Sequence, residues 1–218
     1  MELIKENIYL IRNKKIFSSN TYLYKHKVND ECIIIDPGFD TELIDNNIQK
    51  NNLKPIAVVS THGHFDHIAS VNFFKNKYNI PFYLHESDFK ISQNANFYLK
   101  VSQLNCKIET PIPDFLFKGE LYNLNFKDIN LEIYNFPGHS PGSCIIKIEN
   151  NLFSGDIFYK NGLGMGSIPR ENKEQLKSSI LKIFNIFFDE NLILPGHGAS
   201  EYLGAIKCNN IELKQFLE

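Results

Sequence analysis

Short apolar runs alternate with amphipathic stretches along the chain. Ile8 and Leu10, then Thr21-Tyr22-Leu23-Tyr24, then Cys32-Ile33-Ile34-Ile35 predict three strands, with the polar stretch Lys25 to Asp30 as a hairpin end. Asp36-Pro37-Gly38 stops the third strand with turn residues. Leu43, Ile44 and Ile48 share one side of a helix that stops near Asn51-Asn52. Pro55 to Val59 is a continuous apolar run, as in a strand buried on both faces. Val71, Phe74 and Tyr78 then mark a helix running from Ile68 to Tyr78, and Pro81 to His85 reads as another strand. From Ser87 to Leu104 the helical pattern is weak, as in an excursion or lid. Further strands are predicted at Phe115 to Leu121, Ile129 to Phe136, Cys144 to Ile148 and Asn151 to Phe153, before an amphipathic helix from Lys173 to Phe184. A last strand, Leu192 to Leu194, precedes a tail from Glu201 that reads as one short closing helix. Strands alternating with helices indicate an α/β layered architecture, and without repeats or linkers a single domain over 1–218 is expected.

Composition narrows the function. A formal net charge of −2 over 218 residues advertises neither a nucleic-acid partner nor an acidic membrane surface. No stretch approaches the roughly 18 apolar residues of a membrane span. The start carries mixed charge and does not read as a secretory signal. Cys32, Cys106, Cys144 and Cys208 lie far apart without paired spacing, as reduced thiols in a cytoplasmic protein would.

The chemistry concentrates in Thr61-His62-Gly63-His64-Phe65-Asp66-His67, directly after the buried strand. Burying three imidazoles and a carboxylate together costs several kcal/mol unless something pairs them, and a divalent metal does so. A loop leaving a strand lets His62 and His64 converge, with Asp66 and His67 at the first turn of the next helix. Two ligand pairs suit two neighbouring ions. His139, Asp156 and His197 each follow an apolar strand and a glycine, so each would project from the carboxyl end of a strand into one rim. Five of the 7 histidines fall in these motifs. His26, in a charged hairpin, reads as solvated. His85 and Asp36 are candidates for orienting a ligand rather than binding metal.

The set Thr-His-x-His-x-Asp-His, Pro-Gly-His, Gly-Asp and Pro-Gly-His resembles the metallo-β-lactamase fold superfamily, and within it the hydroxyacylglutathione hydrolase (glyoxalase II) branch. The likeness runs from Asp36-Pro37-Gly38 to His197. It implies a four-layer αββα sandwich with two divalent ions, zinc first and iron or manganese as alternatives. His62, His64 and His139 would hold one ion, Asp66, His67 and His197 the other, and Asp156 would bridge them. It further implies hydrolysis of a small-molecule thioester such as S-D-lactoylglutathione by a metal-bridging hydroxide, with Asp66 as the catalytic side chain that orients it or shuttles its proton. The Asp156 and His67 pair speaks against the β-lactamase branches, while a lactone hydrolase or an iron-dependent persulfide dioxygenase shares much of the site. Two departures bear on substrate. The family's cation after the bridging aspartate is replaced by Met165 in Gly162-Leu163-Gly164-Met165, leaving Lys160, Arg170 or Lys173 to meet the substrate, Arg170 first, and only a short tail stands where the glyoxalase II helical domain would follow.

Overall fold

The computed structural model describes residues 1–166 and 170–218. By its internal contacts the chain divides into two compact units, Met1–Phe117 and Lys118–Glu218.

The first unit carries a seven-stranded sheet in simple order, β1 (Glu2–Lys5), β2 (Ile8–Arg12), β3 (Asn20–Lys25), β4 (Glu31–Ile35), β5 (Lys54–Val59), β6 (Phe82–His85) and β7 (Phe115–Phe117). Hairpins join β1 to β4 antiparallel; from β4 to β7 the pairing is parallel. Parallel neighbours need a long crossover, and helix α1 (Thr41–Lys50) supplies the first. The second passes through α2 (Phe65–Ile68) and α3 (Val71–Tyr78), and the third through α4 (Phe89–Gln93) and α5 (Ala95–Val101). Ile34, Val58, Phe82 and Leu84 from the sheet bury against Ile44, Ile48, Phe74 and Leu99 from the helices. Because β4, β5 and β6 run the same way, the residues that leave them, Asp36, Ser60 to His62 and His85, come out on one edge.

The second unit holds a six-stranded sheet. Its strands are β8 (Leu121–Phe126), β9 (Ile129–Asn135), β10 (Cys144–Ile148), β11 (Asn151–Gly155), β12 (Leu192–Pro195) and β13 (Glu201–Tyr202), in the order β13-β12-β11-β10-β9-β8. Helix α6 (Lys173–Ile186) makes the crossover to the parallel β11–β12 pair, and α7 (Leu203–Asn209) and α8 (Ile211–Leu217) close the chain. Leu176, Ile180 and Ile183 of α6 pack with Ile145, Leu152 and Ile193 of the sheet and with Leu203, Ile206 and Leu213 of the tail. β9 and β11 are both antiparallel to β10, so β9, β11 and β12 share a direction. His139, Asp156 and His197 therefore leave the same edge, as the motif placement predicts.

The structure departs from the sequence expectations at several elements. The helix expected from Ile68 to Tyr78 breaks at Ala69-Ser70, where the Ser70 N–H goes to the Pro37 carbonyl (3.1 Å) and its hydroxyl to the Gly38 carbonyl. The single strand expected over 115–121 is two, because Gly119 turns with φ +90° and β8 pairs with β9 rather than β6. The 87–104 stretch is no detached lid: Ile91, Ala95 and Leu99 are buried in the first unit's core. The tail is two helices, divided at Asn210, whose backbone is extended (φ −78°, ψ 98°).

Candidate metal centre

In the first unit β5 runs into Ser60 with Ala57, Val58 and Val59 fully buried, which leaves the following residues little freedom at the sheet edge. His62, His64, Asp66 and His67 are all at least nine-tenths buried. The His62 ring lies 4.7 Å from that of His64 and 4.2 Å from that of His67, centroid to centroid. Oδ2 of Asp66 stands 3.5 Å from Nε2 of His67. Ligand-type atoms of Asp36, His62 and His67 all lie within 4.8 Å of one another.

Hydrogen bonding fixes which imidazole nitrogen is offered. Asp36 takes the Thr61 N–H at Oδ1 (2.8 Å) and the Thr61 hydroxyl proton at Oδ2 (2.6 Å). With its proton so committed, Thr61 Oγ1 accepts from Nδ1 of His62 (3.1 Å). Nδ1 of His67 donates to Oδ2 of Asp36 (3.1 Å). Both rings thus carry their proton on Nδ1 and leave Nε2 a lone pair to offer, the form a metal needs. Asp36, at φ +52°, thus orients Thr61 and the His67 ring.

In the second unit Asp156 stands between two histidines: its Oδ2 is 3.2 Å from Nε2 of His197 and 3.8 Å from Nε2 of His139. Nδ1 of His139 donates to the Gly164 carbonyl (2.6 Å), so His139 too presents Nε2 as the lone pair. Gly138, at φ +146°, makes the turn before it, and a side chain there would run into the backbone of Leu176 on α6. The donor set of imidazole and carboxylate in both units fits a divalent ion such as zinc, iron or manganese.

The other sequence candidates are held differently. His85 is buried, but its Nδ1 accepts the Ser87 N–H (3.2 Å), the opposite tautomer, so it caps a turn. His26 is not solvated as expected: it is 8% exposed, and its Nδ1 accepts the N–H groups of Val28 and Asn29, closing the hairpin from within. Lys160 pairs with Glu201 (3.0 Å), which holds the Glu201 carboxyl below the usual range. Arg170 is exposed with φ +81°. The four cysteines form no disulfide, and burial pushes Cys32 up to about 12, so it is no nucleophile.

Three contributors escaped the sequence reading. Asp88, fully buried, accepts the Gly63 N–H (2.8 Å) in the middle of the histidine run. Ser19 donates its hydroxyl to the Asp66 carbonyl (2.9 Å). Glu171, with 5% of its side chain exposed, takes the Gly166 N–H (2.8 Å) and stands 3.8 Å from Nδ1 of His139. Asp88 alone carried a signal, an aspartate ahead of a helical pattern, and that signal reads as a cap.

A family model described as the metallo-beta-lactamase superfamily matches residues 15–197. The chain belongs to that superfamily. It is 32% identical over 172 residues, 78% of this chain and 81% of the relative, to "Probable metallo-hydrolase YqgX" of Bacillus subtilis. It is 30% identical over 180 residues, 81% of this chain and 84% of the relative, to the hydroxyacylglutathione hydrolase GloC of Haemophilus influenzae. Among solved structures it is similar to the BLEG-1 B3 metallo-beta-lactamase, with TM-score 0.83 and 27% identity over 94% of this chain and 99% of that one. It is also similar to TTHA1623 in a di-iron-bound form, with TM-score 0.82 and 25% identity over 93% and 98%. The α/β fold is thus the metallo-β-lactamase fold, two sheets with flanking helices, and the protein is a metallo-hydrolase of this superfamily.

Proposed function

We propose that the protein hydrolyses thioesters, S-D-lactoylglutathione among them, at a binuclear centre. His62, His64 and His139 would hold one ion, and Asp66, His67 and His197 the other, with Asp156 shared. Zinc is the first choice of metal; the di-iron form of TTHA1623 keeps iron in play. The observation that carries the reading is the common tautomer of His62, His67 and His139, each set by a partner at Nδ1. The thioester is favoured by the similarity to GloC.

When bound, paired divalent ions supply Lewis acidity and bring the pKa of water towards neutrality. The chain's own residues do the rest. Asp36 and Thr61 would aim the rings of His67 and His62, and the Gly164 carbonyl that of His139. Asp66, 7% exposed and beside His67, would take the proton of the attacking water. With Lys160 engaged by Glu201, Arg170 is the stronger candidate to meet a substrate carboxylate.

The test is a panel of acyl thioesters, lactones, a persulfide and a β-lactam, with metal quantified in the same samples and oxygen uptake recorded. Thioester turnover with two ions per chain is expected. The β-lactam is included because of the likeness to BLEG-1. Oxygen consumption with a single iron would move the protein to the dioxygenases, and preferential β-lactam or lactone turnover would likewise displace the thioester reading. His62→Ala and Asp156→Ala should each lose metal and activity.

A further inference from the structure

The eight residues that follow Asp156, 157–164, reach each of the second unit's three ligand-type residues. They begin at Asp156 itself. Phe158 pairs with Leu163 as an antiparallel bridge, closing a tight loop over Tyr159 to Gly162 in which the Tyr159 N–H bonds the Gly162 carbonyl (3.1 Å). At the tip the half-buried Tyr159 ring lies edge-on to His197, centroids 5.9 Å apart. At the far end the Gly164 carbonyl takes Nδ1 of His139 (2.6 Å). Gly164 is wedged so closely that a side chain there would collide with the Asp156 carbonyl. A small displacement of this loop therefore moves the groups that orient His139 and His197 together.

One side chain of the tail holds that loop. Asn210, 1% exposed, donates from Nδ2 to both the Tyr159 and the Gly162 carbonyls, each at 3.0 Å. Its Oδ1 accepts the Leu213 N–H (2.9 Å) and so caps α8. Both its N–H groups are used inward, and its oxygen serves its own helix. Packing of α8 does not require the two inward bonds, since Leu213 enters the core beside it and the cap needs only the oxygen.

We propose that Asn210 is a positioning residue for the metal centre, acting through Tyr159 on His197 and through Gly164 on His139, and that the two-helix tail serves to hold it. The inference rests on the reading of His139, Asp156 and His197 as metal ligands. Asn210→Asp keeps the capping oxygen and removes both inward donors. Cobalt(II) titration reports affinity, and the visible spectrum of the bound ion reports ligand geometry, both well below the melting temperature. Leu213→Val, which loosens the tail but keeps both Asn210 donors to the loop carbonyls, is the control. Asn210→Asp should weaken cobalt affinity by about tenfold or more, in the range that supporting partners of metal ligands command, and should alter the spectrum, while Leu213→Val leaves both unchanged. Tyr159→Leu keeps the backbone bonds to Asn210 but withdraws the ring from His197, and should alter the spectrum by itself even if the Asn210 variant fails to fold. An unchanged spectrum in Asn210→Asp or in Tyr159→Leu, or equal losses in Asn210→Asp and Leu213→Val, overturns the proposal. Should the wild type bind no cobalt, or Asp156→Ala bind it equally well, the underlying ligand assignment fails instead.

Discussion

Gly63 has no room for a methyl group. A Cβ there would sit 2.8 Å from the Asp88 carbonyl and 3.1 Å from its Cβ, while the Gly63 N–H is bound by the same aspartate. The glycine between His62 and His64 is thus required by a close approach rather than by a left-handed backbone. Asp88→Ala would leave a buried N–H without its acceptor, costing about 1–3 kcal/mol, and would free the loop that carries both histidines. The expected outcome is a lower midpoint in denaturant together with weaker metal affinity; Asp88→Asn, which keeps an acceptor oxygen, should recover most of both. At this scale residue type was legible and environment was not. The histidine run announced itself because so many titratable groups follow a buried strand. Whether a given imidazole offers Nε2 or Nδ1 depends on partners distant in sequence, Asp36 for His67 and Gly164 for His139. Composition likewise placed His26 in solvent; the N–H groups of Val28 and Asn29, folded back onto its Nδ1, placed it inside.

Among the elements, those with strong period were readable and those set by a single hydrogen bond were not. Helix α6 shows why. Leu176, Ile180 and Ile183 repeat at helical spacing, and all are fully buried. Asn172 caps its start, accepting the Gln175 N–H (3.0 Å), while its own N–H goes to the Gly138 carbonyl (2.8 Å) next to His139. Asn172→Ala should therefore cost about 1 kcal/mol through the lost cap, read as a shift in denaturant midpoint with unchanged slope. By contrast, nothing in the Ile68 to Tyr78 pattern shows that Ser70 will spend its N–H on Pro37, and nothing in the tail shows that Asn210 will divide one helix into two. These breaks come from tertiary partners that outbid the next helical turn.

For the whole molecule the metal is the term that links stability to function. Ions that bind only the folded chain stabilise it by mass action, about 2.7 kcal/mol at a hundredfold excess over the dissociation constant. For a chain of this size that corresponds to a melting temperature roughly 5–10 °C higher. Stripping with a chelator should lower the calorimetric melting temperature by such an amount, and Zn²⁺ should restore it; an unchanged value would mean that the donor set holds no ion. The sequence by itself determined the α/β class and the residues that carry chemistry, because strand and helix periods are local and a cluster of buried imidazoles has few other reasons to exist. Superfamily membership follows from the same motifs. Only the tertiary structure decided how those residues are held. Parallel running of β4 to β6 brings Asp36 to Thr61 and His67, and the shared direction of β9, β11 and β12 brings Asp156 between His139 and His197. Such contacts join residues tens of positions apart, where no local pattern reaches.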